Sequence, residues 1–467
     1  MASIGDPGRT PGVWARHRGL RRLVDAVAWV TWREVAIDDL NATDSGPVLL
    51  VANHFGGVSD AVVLMSVLPR RPRILADDQI WKVPVVKQFM RWIGAIPVHR
   101  GHSGSTDNTD MFASAHDALA DGELVLIFPE GITREEPSIG RVRSGAARIA
   151  TGARAAGVSG IRIVPVGIHY DDKAAFRSVV YVREGEPIDL DAEIAAAGDP
   201  VDEQEDRDEV ERLTELIAER LRASAPDYDD WREARALQMG AEAFLRSLEP
   251  DTSVPVSLRD RLAAWLATRQ DTAQLVDVAD DYRSALAQTG ATDEWAAKGA
   301  ARLNRRRILT VLTWVLMVPY ALLGLGAWAV PSALTWSVSK LRLAPAVMAT
   351  VMPLVALATF GATSGFWIWF GWDRSGESGV VAAMVVLPIT FAAMGLVIER
   401  GLLWVRWLRN RVRTLGRRGR QLADLRAEVV TAVADEVTAH LRAELAPRTR
   451  PRGRSSGADA VRVEGGA

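Results

Sequence analysis

The sequence predicts an α/β layered domain over residues 35–195, a helical annex over residues 196–302 and an apolar helical region over residues 303–408. Three observations predict this order. Short apolar runs bounded by turn residues, at Val48–Val51, Leu124–Phe128 and Ile161–Val166, read as buried strands of a sheet covered on both faces. Helical spacing fills the intervals, as in Met111, Phe112, Ala115 and Leu119, a helix that Gly122 ends. Beyond residue 303, three long stretches carry no charged residue.

Composition narrows the class. The 467 residues allow about three domains at roughly 150 residues each. Charged residues make up 24%, too many for a chain lying wholly in a membrane, and the hydrophobic share of 48% is too high for a disordered one. Lysine and arginine number 56 against 58 acidic residues, and this near-neutral balance argues against a nucleic-acid binder. The absence of cysteine removes disulfides, thiolate metal sites and a cysteine nucleophile together. His17, His99, His102, His116, His169 and His440 show no metal-ligand spacing and read as surface or structural residues.

In chain order, the polar start to Gly12 lacks the apolar core of a secretory signal, so the amino terminus is expected in the cytoplasm. Residues 1–34 hold a basic and aromatic helix from about Trp14 to Glu34, which suits a lipid surface or the packed edge of a domain. After the α/β domain, the acidic run Asp199–Glu211 reads as a solvated linker or helix start. The annex follows, with shared faces at Val210, Leu213, Ile217 and Leu221, at Leu258, Leu262 and Trp265, and at Leu275, Tyr282 and Leu286.

The charge-free stretches Ile308–Ser339, Leu343–Trp372 and Gly379–Ile398 each supply the ~20 residues that cross a bilayer's hydrocarbon. Eight of the sixteen tryptophans fall between residues 308 and 407, where they fit interfacial belts. The chain therefore reads as an integral membrane protein. Arginines 302, 305, 306 and 307 precede the region, and Arg400, Arg406, Arg409, Arg411, Arg413, Arg417, Arg418 and Arg420 follow it. The positive-inside rule puts both flanks in the cytoplasm and requires an even number of crossings. Pro319, Pro331, Pro345 and Pro353 would let one stretch dip in and return, or split. Residues 409–445 then form a basic amphipathic helix with Leu422, Leu425, Val429, Val433 and Leu441 on one face, suited to the membrane surface or to pairing with the annex. Residues 446–467 read as a disordered tail.

Chemistry concentrates after the first strand, in Asn53-His54-Phe55-Gly56-Gly57-Val58-Ser59-Asp60. A histidine and a carboxylate at the carboxyl end of a strand have the parts of a general base and its orienter. The two glycines give the backbone freedom for the pair to meet across a turn. Downstream stand Gly94-Ala95-Ile96-Pro97-Val98-His99-Arg100, Phe128-Pro129-Glu130-Gly131-Ile132-Thr133 and Ile163-Val164-Pro165-Val166. In these four blocks and their order, residues 25–195 resemble the glycerolipid acyltransferases. The five residues between His54 and Asp60, together with Thr133-Arg134-Glu135-Glu136-Pro137, Ser144-Gly145-Ala146-Ala147-Arg148 and Phe176-Arg177-Ser178, are similar to the glycerol-3-phosphate and dihydroxyacetone-phosphate acyltransferase branch.

The resemblance implies an α/β acyltransferase domain, a mixed sheet covered by helices, with His54 as general base and Asp60 as its orienter. It implies that Arg100 holds the acceptor's phosphate, with Thr133 and Arg134 as further phosphate candidates. Glu130 and Gly131 form a tight turn, and Glu130 binds the acceptor's free hydroxyl or holds the loop. The donor would be an acyl thioester of coenzyme A or of acyl carrier protein, with no other cofactor, no metal and no nucleic acid. The acceptor would be a glycerol phosphate, with lysophosphatidate or another lysophospholipid as the alternative and a non-catalytic lipid-binding scaffold as the reading from another class. No serine sits in a nucleophile elbow, so direct attack by the alcohol is simpler than an acyl-enzyme. Backbone amides near the His54 turn are the expected oxyanion donors. Such a domain would work at the cytoplasmic face of the bilayer.

Overall fold

A computed structural model describes residues 17–445, apart from residues 39, 79–80, 82–83, 100–107, 134–135, 172–176, 198–202, 251, 270–271, 299–304, 339, 342–344 and 415. Two expected phosphate ligands, Arg100 and Arg134, therefore lie outside the described residues, as does the tail over 446–467. The α/β domain runs through α1 (Arg18–Thr31), β1 (Trp32–Ile37), β2 (Val48–Ala52), α2 (Val58–Val67), β3 (Pro72–Asp77), α3 (Pro84–Trp92) and β4 (Ile96–Val98). It continues with α4 (Thr109–Ala120), β5 (Leu124–Ile127), α5 (Gly145–Ala155), β6 (Arg162–Tyr170), β7 (Ser178–Glu184), β8 (Ile188–Asp189) and α6 (Leu190–Ala197).

The sheet order is β1-β7-β6-β2-β5-β3-β4, with β8 added beside β6. The three apolar runs are β2, β5 and β6, which are neighbours at the sheet's centre. All five residues of β2 are buried, as a strand covered on both faces must be. Of the strands that the pattern does not mark, β4 has three residues, β3 opens with Pro72 and Arg73, and β1 carries Arg33 and Glu34, whereas β7 holds the buried apolar run Val179–Val182. Strands β6, β2, β5, β3 and β4 run parallel, so their carboxyl ends share one edge, while β7 is antiparallel to β6. The sheet is mixed.

Alternation along β2 divides the core in two. Leu49 and Val51 face α4, α5 and α7 (Glu203–Ser224), the last contributing Leu213, Ile217 and Leu221. Val48 and Leu50 face α1 and α2, where Leu20, Val24 and Ala28 of α1 recur every fourth residue. Thus α1 packs into the domain, with Leu23 and Trp29 on its outer surface. The acidic run begins α7, which belongs by its contacts to the α/β core.

The annex comprises α8 (Trp231–Leu248), α9 (Val256–Ala267), α10 (Ala273–Thr289) and α11 (Asp293–Lys298). In α9 Leu262 and Trp265 of the expected face pack against the annex core, but Leu258 is 48% exposed, and Arg259 and Asp260 are buried along with Ala263 and Leu266. Ion pairing explains the buried charges. Arg259 bridges Asp260 at 2.8 Å and Asp171, beyond β6, at 2.7 Å, while Arg261 pairs with Asp38 after β1 at 2.6 Å.

The apolar region is α12 (Arg305–Val338), α13 (Pro345–Ser375) and α14 (Glu377–Arg413), followed by α15 (Arg417–Leu445). Among the described residues, Leu312–Val338 and Glu377–Ile398 are long and apolar enough to cross a bilayer. Helices α12 and α14 lie side by side in opposite directions: Trp314 Nε1 donates to the Val397 carbonyl at 3.0 Å, and Trp328 Nε1 to Thr390 Oγ1 at 3.1 Å. Gly371 and Gly379 close the turn between α13 and α14 so tightly that neither has room for a Cβ. Helix α15 then buries Leu422, Val429 and Val433 against α8 and α10, whereas Leu441 is 50% exposed and leaves that face. Buried Asp293 ties the bundle together, accepting from Arg246 at 2.7 Å, Arg426 at 2.9 Å and Tyr282 at 2.8 Å. The chain therefore enters and leaves its apolar region on the same side.

Candidate active site

The loops after β2 and β5 open at the shared carboxyl edge, where open α/β sheets present ligand sites. Asn53 fixes the end of β2. It exchanges two hydrogen bonds with the Ile168 backbone on β6, at 3.0 Å and 2.7 Å. His54 follows, and Gly57, at φ +65, turns the chain into α2, whose first turn carries Asp60. An L side chain at Gly57 would be strained at that φ.

The pair six positions apart closes: His54 Nδ1 lies 2.9 Å from Asp60 Oδ2. Asp60 is fully buried and its carboxylate is filled, accepting the Gly56 N–H at 2.9 Å and the Tyr170 O–H at 2.7 Å. Burial first, and then the Asp60 charge, push the Tyr170 phenol well above its ordinary range, so it stays a donor. The His54 side chain is 17% exposed and its ring stacks on Phe128, centroids 4.3 Å apart. With Nδ1 committed to Asp60, Nε2 is the ring nitrogen that this pairing leaves available.

Glu130 lies under the histidine rather than across from it. One carboxylate oxygen accepts the His54 N–H at 3.1 Å and the other accepts the Gly140 N–H at 2.9 Å. Both bonds tie the Glu130 loop to the His54 turn and to Gly140. Gly131 has φ +72, and a Cβ there would sit 3.2 Å from Arg143 Nε. Thr133 is half-buried on the loop beyond it. The expected oxyanion donors need narrowing, because the His54 and Gly56 amides are both committed to carboxylates. Tyr170 and Asn53 carry no signal in the sequence that assigns them to this site. Tyr170 lies 110 positions from Asp60, and only strand pairing brings β6 beside β2.

Residues 34–169 match the family model described as Acyltransferase. The whole of that match falls within the α/β domain. Among curated relatives, glycerol-3-phosphate O-acyltransferase 2 of Saccharomyces cerevisiae is 35% identical over 127 residues, 26% of this chain and 17% of that protein. Glycerol-3-phosphate O-acyltransferase 1 of the same yeast is 22% identical over 191 residues, 40% of this chain and 25% of that protein. The chain thus spans a quarter or less of the length of either relative. The crystal structure of the 1-acyl-sn-glycerophosphate (LPA) acyltransferase PlsC from Thermotoga maritima superposes with a TM-score of 0.33 and 18% identity, covering 45% of this chain and 82% of that one.

Proposed function

We propose that the chain is a membrane-bound O-acyltransferase that moves a fatty acyl group from an acyl thioester to the hydroxyl of a glycerol phosphate. The observation that carries this reading is the His54–Asp60 pair, 2.9 Å apart, with its carboxylate buried and saturated by Gly56 and Tyr170. His54 Nε2 takes the acceptor's hydroxyl proton as its oxygen attacks the thioester carbonyl, and Asp60 supports the imidazolium that forms. Collapse of the tetrahedral intermediate expels the thiolate, which recovers the proton from His54. The ester and the free thiol leave without a covalent enzyme intermediate and without a further cofactor.

Arg100, Thr133 and Arg134 are assigned to the acceptor's phosphate, where a guanidinium offers a forked, charge-assisted contact. The bilayer reading rests on the two apolar helices and on the large apolar side chains they leave exposed, among them Leu316, Leu323, Val330 and Val381. Both arginine-rich flanks then face the cytoplasm, where a charged thioester and a polar glycerol phosphate are available.

The test is His54→Ala in purified membranes, with acyl-coenzyme A and acyl carrier protein thioesters crossed against glycerol 3-phosphate, dihydroxyacetone phosphate and lysophosphatidate. Transfer falls by about 10²–10⁴-fold for one acceptor class. Near-normal transfer by the variant overturns the mechanism. Transfer confined to lysophosphatidate overturns the acceptor.

A further inference from the structure

The carboxyl end of β6 is gripped from both faces. Strand β2 pairs with β6 only as far as Ala52 opposite Val166, so beyond that point β6 keeps β7 as its strand partner. Alternation sends Val166, Ile168 and Tyr170 toward α2, and Gly167, His169 and Asp171 toward α7 and α9. On the first face the Tyr170 O–H donates to Asp60 Oδ1 at 2.7 Å. On the second, Gly167 lies so close to the Ser224 carbonyl that a Cβ has no room, and His169 Nε2 donates to the same carbonyl at 2.9 Å. Arg259 of α9 then forks. Its Nη1 donates to Asp171 at 2.7 Å, and its Nε donates to Asp260 at 2.8 Å, where the other Asp260 oxygen stands 3.9 Å from His169 Nδ1. The two residues that hold the annex therefore flank the one that fills Asp60.

We infer that α9 clamps this strand end for the reaction, and that Arg259 is a positioning residue that acts through Tyr170 on Asp60 and hence on His54. The inference rests on the acyl-transfer reading and gives the annex, which carries no catalytic motif, a part in that chemistry. The helix can serve as a fixed reference because a second ion pair seats it elsewhere on the sheet. Arg261 binds Asp38, after β1, at 2.6 Å and the Tyr181 hydroxyl on β7 at 3.2 Å. Arg259 then ties the free end of β6 to that seated helix. A hydrogen bond weakens steeply with distance and angle, so a small shift of the strand end loosens Tyr170 from Asp60. Such a shift would leave the substrate contacts in place and misplace the proton acceptor, which is a defect in turnover rather than in binding. The fork matters as much as the charge. A lysine would keep a cation beside buried Asp260, but a single ammonium cannot reproduce the planar bridge to Asp171.

The experiment uses the full chain in detergent, with Arg259→Lys and Asp171→Ala, each alone and each combined with Tyr170→Phe. Asp171 is 42% exposed at its side chain, so its removal tests the bridge even where a change at buried Arg259 fails to fold. Two readouts are taken: kcat and KM for donor and acceptor, and the rate at which diethyl pyrocarbonate modifies His54, followed by mass spectrometry. Each single variant lowers kcat by about three- to tenfold with both KM values unchanged, as partial loss of the Tyr170 bond predicts. Added to Tyr170→Phe, neither lowers kcat further, because the bond they act through is already gone. Modification of His54 slows in the same non-additive pattern. Native kcat in both variants overturns the inference, as does a rise in KM alone or a full additive loss on top of Tyr170→Phe. Transfer that depends on His54 but ignores Arg259 and Asp171 sinks this inference only. Coupled slowing of His54 modification with no transfer to any phosphate acceptor leaves the clamp standing and sinks the acyl-transfer reading.

Discussion

Asp60 is filled from three sides, by the His54 ring, the Gly56 amide and the Tyr170 hydroxyl, in a place closed to water. A buried carboxylate needs those donors, because an unpaired buried charge is costly. Tyr170→Phe removes one donor without changing the ring, and a hydrogen bond to a charged group is worth about 1.5–3 kcal/mol. We expect the variant to lower kcat some tenfold, to leave the acceptor KM little changed and to reduce the thermal midpoint by a few degrees. Full activity in kinetic assays would show that Tyr170 is a bystander. Gly56 is stricter. A Cβ there would stand 2.8 Å from both Asp60 Oδ1 and the Tyr170 oxygen, so Gly56→Ala must displace the carboxylate. Loss of acyl transfer with a retained far-ultraviolet spectrum is the expected result. His54, Asp60 and the two glycines were legible in the sequence because they are adjacent in it. Tyr170 was not, since its partner is remote along the chain.

The turn after β5 shows how one element serves two loops. Glu130 accepts from the amides of His54 and Gly140, and a glutamine retains a single acceptor oxygen for two donors. Glu130→Gln should therefore lower kcat by roughly tenfold while the acceptor KM stays near its native value. A large rise in the acceptor KM alone would assign Glu130 to the acceptor's hydroxyl instead. Helix α9 shows the limit of periodicity. Of its apolar stripe Leu262 and Trp265 pack inward while Leu258 is exposed, and Arg259 and Asp260 are buried beside them because Arg259 pairs with Asp171 beyond β6. Hydrophobic pattern reports apolar burial and is blind to charges that are buried as pairs.

At the scale of the whole molecule, the annex is seated on the sheet through buried His169, whose Nε2 donates to the Ser224 carbonyl at 2.9 Å and whose Nδ1 stands 3.9 Å from Asp260. Burial pulls the His169 imidazole below its ordinary 6.5, against the opposing pull of Asp260. The unfolded chain thus binds a proton that the folded chain refuses. The stability this group contributes is complete above about pH 6.5 and is lost as pH falls below that value. The thermal midpoint should drop between about pH 7 and pH 5.5, and His169→Gln should flatten that slope; an unchanged slope would place the effect on another group, such as His116, which burial shifts the same way. The contact of α15 with α8 and α10 makes a topological prediction as well. Tags at Met1 and Ala467 should both resist protease in sealed right-side-out membranes. Digestion of one tag alone would mean an odd number of crossings.

The sequence by itself determined the class of the α/β domain, the position of its central strands, the pairing of His54 with Asp60 and the existence of an apolar helical region. Each of these is written in neighbouring residues, as continuous apolar runs, a fixed short spacer or a long absence of charge. Tertiary structure decided the rest. It set the sheet order that delivers Tyr170 to Asp60, bound Glu130 to two amides, buried the α9 ion pair and returned α15 to the annex. These outcomes depend on partners tens to hundreds of positions apart, and the energy of such a pair belongs to neither residue's local pattern. Only the folded backbone, by closing those distances, selects which polar groups become partners.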